Sequence, residues 1–171
     1  MKKVKLICMA LFAMIFAVSC RGPQGPQGPA GQDGNANVVS STLTIYPDQW
    51  YWDNTSWRVD IGYAAINANI DNYGAVLVYM DNQNTWRQLP MTFYYSVTEN
   101  NVVSFYSSSL EVSSYQGGVS IFWTENDFYN GYRPDEHRFK IVVIAASEYE
   151  NRSDVDYSNY EAVKAAFQLA D

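Results

Sequence analysis

A reacting site needs a base with a nucleophile, a metal, or a set of rings, and this chain offers little of the first two. His137 is the only histidine, in Arg133-Pro134-Asp135-Glu136-His137. Its charged and prolyl neighbours suit an exposed loop. A nucleophile is activated by a base held beside it, and no motif here supplies that pairing. One histidine and no spare cysteine do not build a zinc site. Carboxylates are plentiful, and the loops around Asp127 and Asp135 have the residue types of a glycosidase's facing pair. Asp154-Val155-Asp156-Tyr157-Ser158 and Asp81-Asn82-Gln83-Asn84 carry oxygen ligands of the kind calcium takes. Neither has the glycine and distant glutamate of an EF-hand loop. Both have plainer uses, since acids before a helix suit its N-terminus and Asp and Asn suit turns. The expectation is a protein that is not an enzyme, with no catalytic residue, no metal and no cofactor.

The aromatic side chains carry a stronger signal. The chain has 5 Trp and 14 Tyr, many of them clustered: Trp50-Tyr51-Trp52, Phe93-Tyr94-Tyr95, Phe128-Tyr129 and Tyr132. Consecutive rings cannot all face one side of a strand, so some must reach the surface or lie under a loop. Trp50 and Trp52 are two apart and project to the same side of an extended segment. Pro47-Asp48 and Asp53-Asn54 bracket them with loop residues. Trp50, Trp52, Trp57 and Trp86 are therefore the candidate ligand-binding residues, as a flat strip that stacks on a sugar or a peptide. The competing expectation is structural, with the indoles folded under to plug one end of the fold, because tyrosine suits strands and aromatic volume fills cores.

One residue has a chemistry set by its place in the chain. Lys2, Lys3 and Lys5 are followed by 13 apolar and small residues, Leu6 to Val18, and then by Ser19 and Cys20. A basic start, a short apolar core and a small-residue exit make an export signal. The run is too short to cross a bilayer, which takes roughly 20 residues. Ala17-Val18-Ser19-Cys20 resembles a bacterial lipobox, with Ala17 at the position where leucine is commonest. There the cysteine thiol takes a diacylglyceryl group and becomes the new N-terminus. Each buried methylene contributes about 0.8 kcal/mol, so two or three chains on Cys20 would anchor the protein durably. Residues 1–19 are then the signal peptide, and the mature chain is residues 20–171. Cys8 leaves with the signal and Cys20 is consumed by lipid, so the fold has no disulfide. Losing the three lysines leaves 8 basic against 18 acidic side chains, a charge of −10. Such a surface repels nucleic acid and anionic lipid.

Residues 20–37 form a linker. Glycine falls at 22, 25, 28, 31 and 34, in Gly-Pro-Gln-Gly-Pro-Gln-Gly-Pro-Ala-Gly-Gln-Asp-Gly. That is the collagen period, in which only glycine fits at the axis of three wound chains. So few triplets bury too little to offset the entropy of ordering three strands. The expectation is a monomer on an extended spacer, with a trimer through the Gly-X-Y run as the alternative. At 3.1 Å per residue, residues 21–35 reach roughly 45 Å.

What must position any site is the domain at 38–171. Its β-branched and aromatic residues, broken by Asn/Asp/Gly clusters, predict strands near 38–46, 57–66, 74–80, 86–97, 102–112, 119–124 and 138–146. From Trp57 to Ala65 the odd positions are mostly apolar, the period of a half-buried strand. The phase shifts at Ile66, Ala68 and Ile70, which predicts a bulge or a short helical turn. Gly74 to Met80, and Phe139 to Ala146 apart from Lys140, are continuously apolar and predict central strands covered on both faces. Turns are expected at 81–84, 99–101 and 116–118. Ser158 and Glu161 have the spacing of a capping box, and Ala162, Val163, Ala166, Phe167 and Ala170 recur at helical spacing. The fold class is mainly β: an antiparallel sandwich of about seven or eight strands, with one C-terminal amphipathic helix over about 159–169.

The chain resembles the small lipoproteins of Bacteroidota that join a lipobox, a few collagen-like triplets and a compact β-rich domain. The resemblance rests on the Gly-X-Y run and on three further segments. These are Asp71-Asn72-Tyr73-Gly74-Ala75-Val76-Leu77-Val78-Tyr79, Trp86-Arg87-Gln88-Leu89-Pro90, and the closing stretch from Val155 to Lys164. It implies an address in the bacterial cell envelope, at the outer membrane, facing either the periplasm or the surface. That family has no assigned activity, so no site is implied. The expected function is a non-catalytic binding or structural role, with the lipid anchor as membrane partner and a glycan or protein as ligand. The alternative is a carbohydrate-binding accessory lipoprotein that uses exposed Trp and Tyr residues.

Overall fold

Two strands that are apolar on both faces set the architecture. Val78 and Met80 of β4 (Ala75–Asn82) face one core, while Leu77 and Tyr79 face a second. In β9 (His137–Ile144), Phe139, Ile141 and Val143 join the first core and Val142 and Ile144 the second. Alternation of side chains along a strand sends neighbours to opposite faces, so a continuous apolar run demands cover on both sides. A second sheet covers one side, and a C-terminal helix covers the other.

The computed structural model describes residues 37–128, 130, 131 and 133–169. Cys20, the export signal and the Gly-X-Y run lie outside those residues, as do Tyr129 and Tyr132. The remaining strands are β1 (Val38–Ile45), β2 (Tyr51–Trp52), β3 (Trp57–Gly62), β5 (Thr85–Gln88), β6 (Met91–Glu99), β7 (Val102–Tyr115) and β8 (Gly118–Glu125). They form a four-stranded sheet in the order β1-β9-β4-β5 and a five-stranded sheet in the order β2-β3-β8-β7-β6. All pairings are antiparallel. The fold is the expected antiparallel sandwich, with nine strands among the described residues.

One of the two extra strands has a physical cause in the sequence. The segment expected as one strand over 86–97 is divided at Pro90. The Leu89 amide still donates to the Val78 carbonyl at 2.8 Å, inside the four-stranded sheet. Pro90 has no N–H to continue that ladder, and the chain resumes as β6 in the other sheet. β2 is two residues long, and nothing in its sequence separates it from the loop around it.

All three expected turns form. Gln83, Asn84, Asn100, Asn101 and Gly117 have positive φ, the conformation that tight hairpins require and that Asn and Gly tolerate best. The phase shift after Ile66 is a short helix, α1 (Ala68–Tyr73), whose Asn67 side chain accepts from the Asn69 and Ile70 amides. Gly74 then lets the chain turn into β4, because a Cβ there would meet the Ile144 carbonyl oxygen at 2.5 Å. A second short helix, α2 (Ala146–Asn151), follows β9.

The C-terminal helix, α3 (Tyr160–Phe167), buries Tyr160, Val163 and Phe167 against the outer face of the four-stranded sheet. Its cap corrects the expected capping box. Asn159 Oδ1 accepts from the Glu161 and Ala162 amides at 3.0 and 3.4 Å. Ser158 instead donates its hydroxyl to Asp156 at 2.6 Å. Both residue types cap well, and the choice went to the one left free when Asp156 engaged the serine.

Candidate functional site

The sandwich has two unlike ends. Val38 pairs with Ile144 at one end, where the chain enters the domain, and Ile45 pairs with His137 at the other. Glu125 and the β4–β5 turn share this second end. There β7 outruns its neighbour: it pairs with β8 only from Ser108 onward, Asn126 still bonds Ser107, and Val102 to Tyr106 pair with β6 alone. At about 3.3 Å per residue, this two-stranded ribbon projects roughly 20 Å past Glu125. Its inner face, the β4–β5 turn and the segment leading to β9 enclose a cleft of about 990 Å3.

Rings and one fixed carboxylate line it. Trp123 lies between Phe93 and His137, with ring centres 6.1 and 5.0 Å away and planes within 21° and 20° of parallel. Tyr95 and Tyr106, paired across the ribbon, stack at 5.7 Å. Glu125 accepts hydrogen bonds from the Tyr95 hydroxyl at 2.8 Å, the Trp123 indole N–H at 2.8 Å and the Ser108 hydroxyl at 2.9 Å. Ser108 is buried, so the network ties β6, β7 and β8 together beneath the cleft. Burial raises the Tyr95 hydroxyl above its ordinary pKa, and the bond to Glu125 raises it further. It therefore stays a donor at neutral pH.

The structure brings Asp127 and Asp135 to this cleft, together with Glu125. His137 is placed differently from the expected exposed loop. It opens β9, is half-buried, and stacks on Trp123. Burial lowers its pKa, and the opposing pull of Asp135 does not cancel that effect. The ring is neutral at pH 7 and behaves as one more aromatic plate.

The expected tryptophan platform is corrected. Trp50 is 1% exposed and Trp57 7%. Trp50 follows a single 3-10 turn, Pro47–Gln49, that swings the chain across the end of the sandwich. Its indole then meets Trp123 and Phe139 edge-on at 6.5 and 6.4 Å. Trp57 shares the inward face of β3 with Val59, and half-buried Trp52 packs edge-on against it at 5.6 Å. Trp86 lies on the other side of the four-stranded sheet, beside Tyr160 and Lys140. The four indoles form no coplanar exposed row. Three of them plug the end of the sandwich, the competing expectation.

Sequence reasoning passed over Trp123, Glu125, Tyr106 and Ser108. A signal was present, since Trp123 with Glu125 and Phe93 with Tyr95 each lie two apart and share a face. Tyr51 serves elsewhere, donating to Asp60 at 2.6 Å on the outer face of the five-stranded sheet. Arg58 and Ser120 also bind Asp60. Burial would raise that carboxyl, but its three donors outweigh it and hold the pKa low.

Among the described residues, no three His, Cys, Asp or Glu side chains group as metal ligands do, and no helix is long and apolar enough to cross a membrane. The chain matches no protein-family model, no curated protein and no solved structure.

Proposed function

We propose that this chain is a lipid-anchored protein of the bacterial cell envelope, seated at the outer membrane through acylated Cys20, and that it binds a glycan without transforming it. The cleft at the end of the sandwich is the binding site. The observation that carries the reading is the combination there of stacked rings with a carboxylate fixed by three donors. Sugars present apolar C–H faces to rings and hydroxyls to carboxylates and amides, and a site of this kind offers both. A volume near the upper end of small-molecule pockets suits an oligosaccharide better than a single sugar. Asp81, Glu99, Glu125, Asp127 and Asp135 outnumber Arg133 along the lining. That balance disfavours acidic polysaccharides and favours neutral or amino sugars. The cleft also opens at the end opposite Val38, so a tether leaving that residue would hold the site away from the membrane.

The test has two arms. The full chain in membrane nanodiscs is screened against neutral, basic and acidic oligosaccharides by tryptophan fluorescence, alongside Glu125→Gln and Tyr106→Ala. A neutral or basic glycan should bind, with affinity falling at least tenfold in Glu125→Gln, about 1.4 kcal/mol. Absence of any such binding refutes the glycan reading. Separately, Cys20→Ala should release the protein from membranes or block its processing. A variant that fractionates with membranes and matures normally refutes the anchor.

A further inference from the structure

The ribbon formed by β6 and the outer half of β7 is unusual for an isolated molecule. β6 is the last strand of its sheet, and among the described residues none pairs with its outer edge. A free two-stranded ribbon is marginal in water, and this one exposes apolar residues on both faces. On the outer face Tyr94 is 84% exposed and Phe105 79%, and on the cleft side Tyr95 and Val97 are exposed too. Proteins usually blunt such edges with lysine, proline or inward charge. From Met91 to Thr98 this edge has none of these, and Glu99 is its sole charge.

We propose that β6 pairs antiparallel with β6 of a second copy of this chain, centred on Tyr95, joining two five-stranded sheets into one of ten strands. The register argues for a second copy because the strand is complementary to itself. Centred on Tyr95, Phe93 falls opposite Val97 of the other copy, and Thr92 falls opposite its Thr98. These are aromatic with β-branched and threonine with threonine, pairings that stabilise sheets. Glu99 falls opposite Met91, so the two like charges are kept apart. A shift of one residue in the pairing would break these matches.

Both faces benefit from the same register. On the cleft side, Tyr95 already pairs with Tyr106, so the joined sheet carries a row of four tyrosines, and the two clefts share one floor. On the outer side, Ser96 pairs with Phe105, and Tyr94 of the second copy would lie just beyond Ser96. The small serine leaves room for the two rings to meet over it. Three rings of about 150–250 Å2 each, exposed by 84, 42 and 79% at Tyr94, Tyr95 and Phe105, supply on the order of 300–500 Å2. The valines and the nine-residue edge extend this toward the roughly 800 Å2 that each partner contributes to a standard interface. This proposal does not depend on the ligand of the cleft.

Single cysteines report the register in the full chain, in membranes of the producing cells. With a short thiol crosslinker, Tyr95→Cys should join to itself. Thr92→Cys alone and Thr98→Cys alone should not, whereas the two expressed together should join. Tyr94→Lys in the detergent-purified protein should convert a dimer to a monomer by sedimentation. Its far-ultraviolet circular dichroism should match wild type, because that side chain is exposed in the single chain, and its thermal transition should lose the concentration dependence that a dimer confers. A monomeric wild type at every concentration overturns the proposal. So does crosslinking at 92 or 98 alone that equals crosslinking at 95, or capture at 95 of a different protein.

Discussion

Replacing Trp50 with alanine tests the packing that underlies the cleft. The indole is 1% exposed and touches Trp123 and Phe139 edge-on. A buried Trp→Ala change costs about 3–5 kcal/mol. The two edge contacts push the loss upward, by about 0.5–1.5 kcal/mol each. One feature pulls it down: the Trp50 Nε1 is buried and finds no acceptor among the described residues. An unsatisfied buried donor costs about 1–3 kcal/mol, which its removal returns. The two adjustments are similar in size and cancel, so the net expectation is a loss of about 4 kcal/mol, or about 8–16 °C in Tm for a domain of this size. Trp50→Phe keeps most of the ring and drops the unsatisfied N–H, so it should lose less than half as much. Urea unfolding of the two variants, with the slope compared to wild type, is the assay. A loss within about 0.5 kcal/mol for Trp50→Ala would mean an exposed ring and would refute the plugged end. A phenylalanine variant as damaged as the alanine one would refute the unsatisfied N–H.

Two further predictions concern pH and the helix cap. Burial holds His137 below its ordinary 6.5, so the unfolded chain takes up that proton more readily than the native one, and stability is full above pH 6.5 and declines as pH falls below it. Asp53, Asp60 and Asp156 are held below their ordinary 3.8, so their contribution is present above pH 3.8 and is lost as pH falls further. His137→Phe, which keeps the stack on Trp123, should remove the first decline and leave the second; a first decline that persists in thermal scans against pH rules out His137 as its source. Asn159→Ala should cost about 1 kcal/mol and Ser158→Ala less than half of that, and the reverse order would return the cap to Ser158.

The layered plan was legible because β4 and β9 are apolar on both faces. A strand with Val76, Leu77, Val78, Tyr79 and Met80 in sequence has no polar face to give to water. The pattern required two covers, and the amphipathic stretch from Tyr160 was the only helix in the sequence reading to supply one. The turns were legible for an equally local reason, since Asn and Gly occupy positions of positive φ. Pro90 was legible in principle. Its missing N–H forbids a continuous strand over 86–97, yet the run looks continuous because the residues on both sides suit strands. The Asn159 cap was not legible, because Ser158 and Asn159 compete for one role. The outcome turned on Asp156 capturing the serine hydroxyl.

The site was hidden for a different reason. Trp50 and Trp52 stood out because loop residues bracket them, yet a loop that crosses the end of a sandwich buries what it carries. Phe93 and Tyr95 stand in an aromatic cluster, and Trp123 stands in a run with no loop residues beside it, yet by alternation each shares its inward face with Met91, Val97 or Ile121. Parity alone gives all of these side chains the same environment. What separates cleft from core is where the neighbouring strand stops. β7 has fourteen residues and β8 eight, and beyond Glu125 only the ribbon continues. A ring facing inward deep before that point is core, and a ring beside it or past it, as Trp123, Phe93 and Tyr95 are, lines an open floor. Strand length relative to a neighbour is a property of pairing, so the same alternation that predicted the sandwich could not mark its open end.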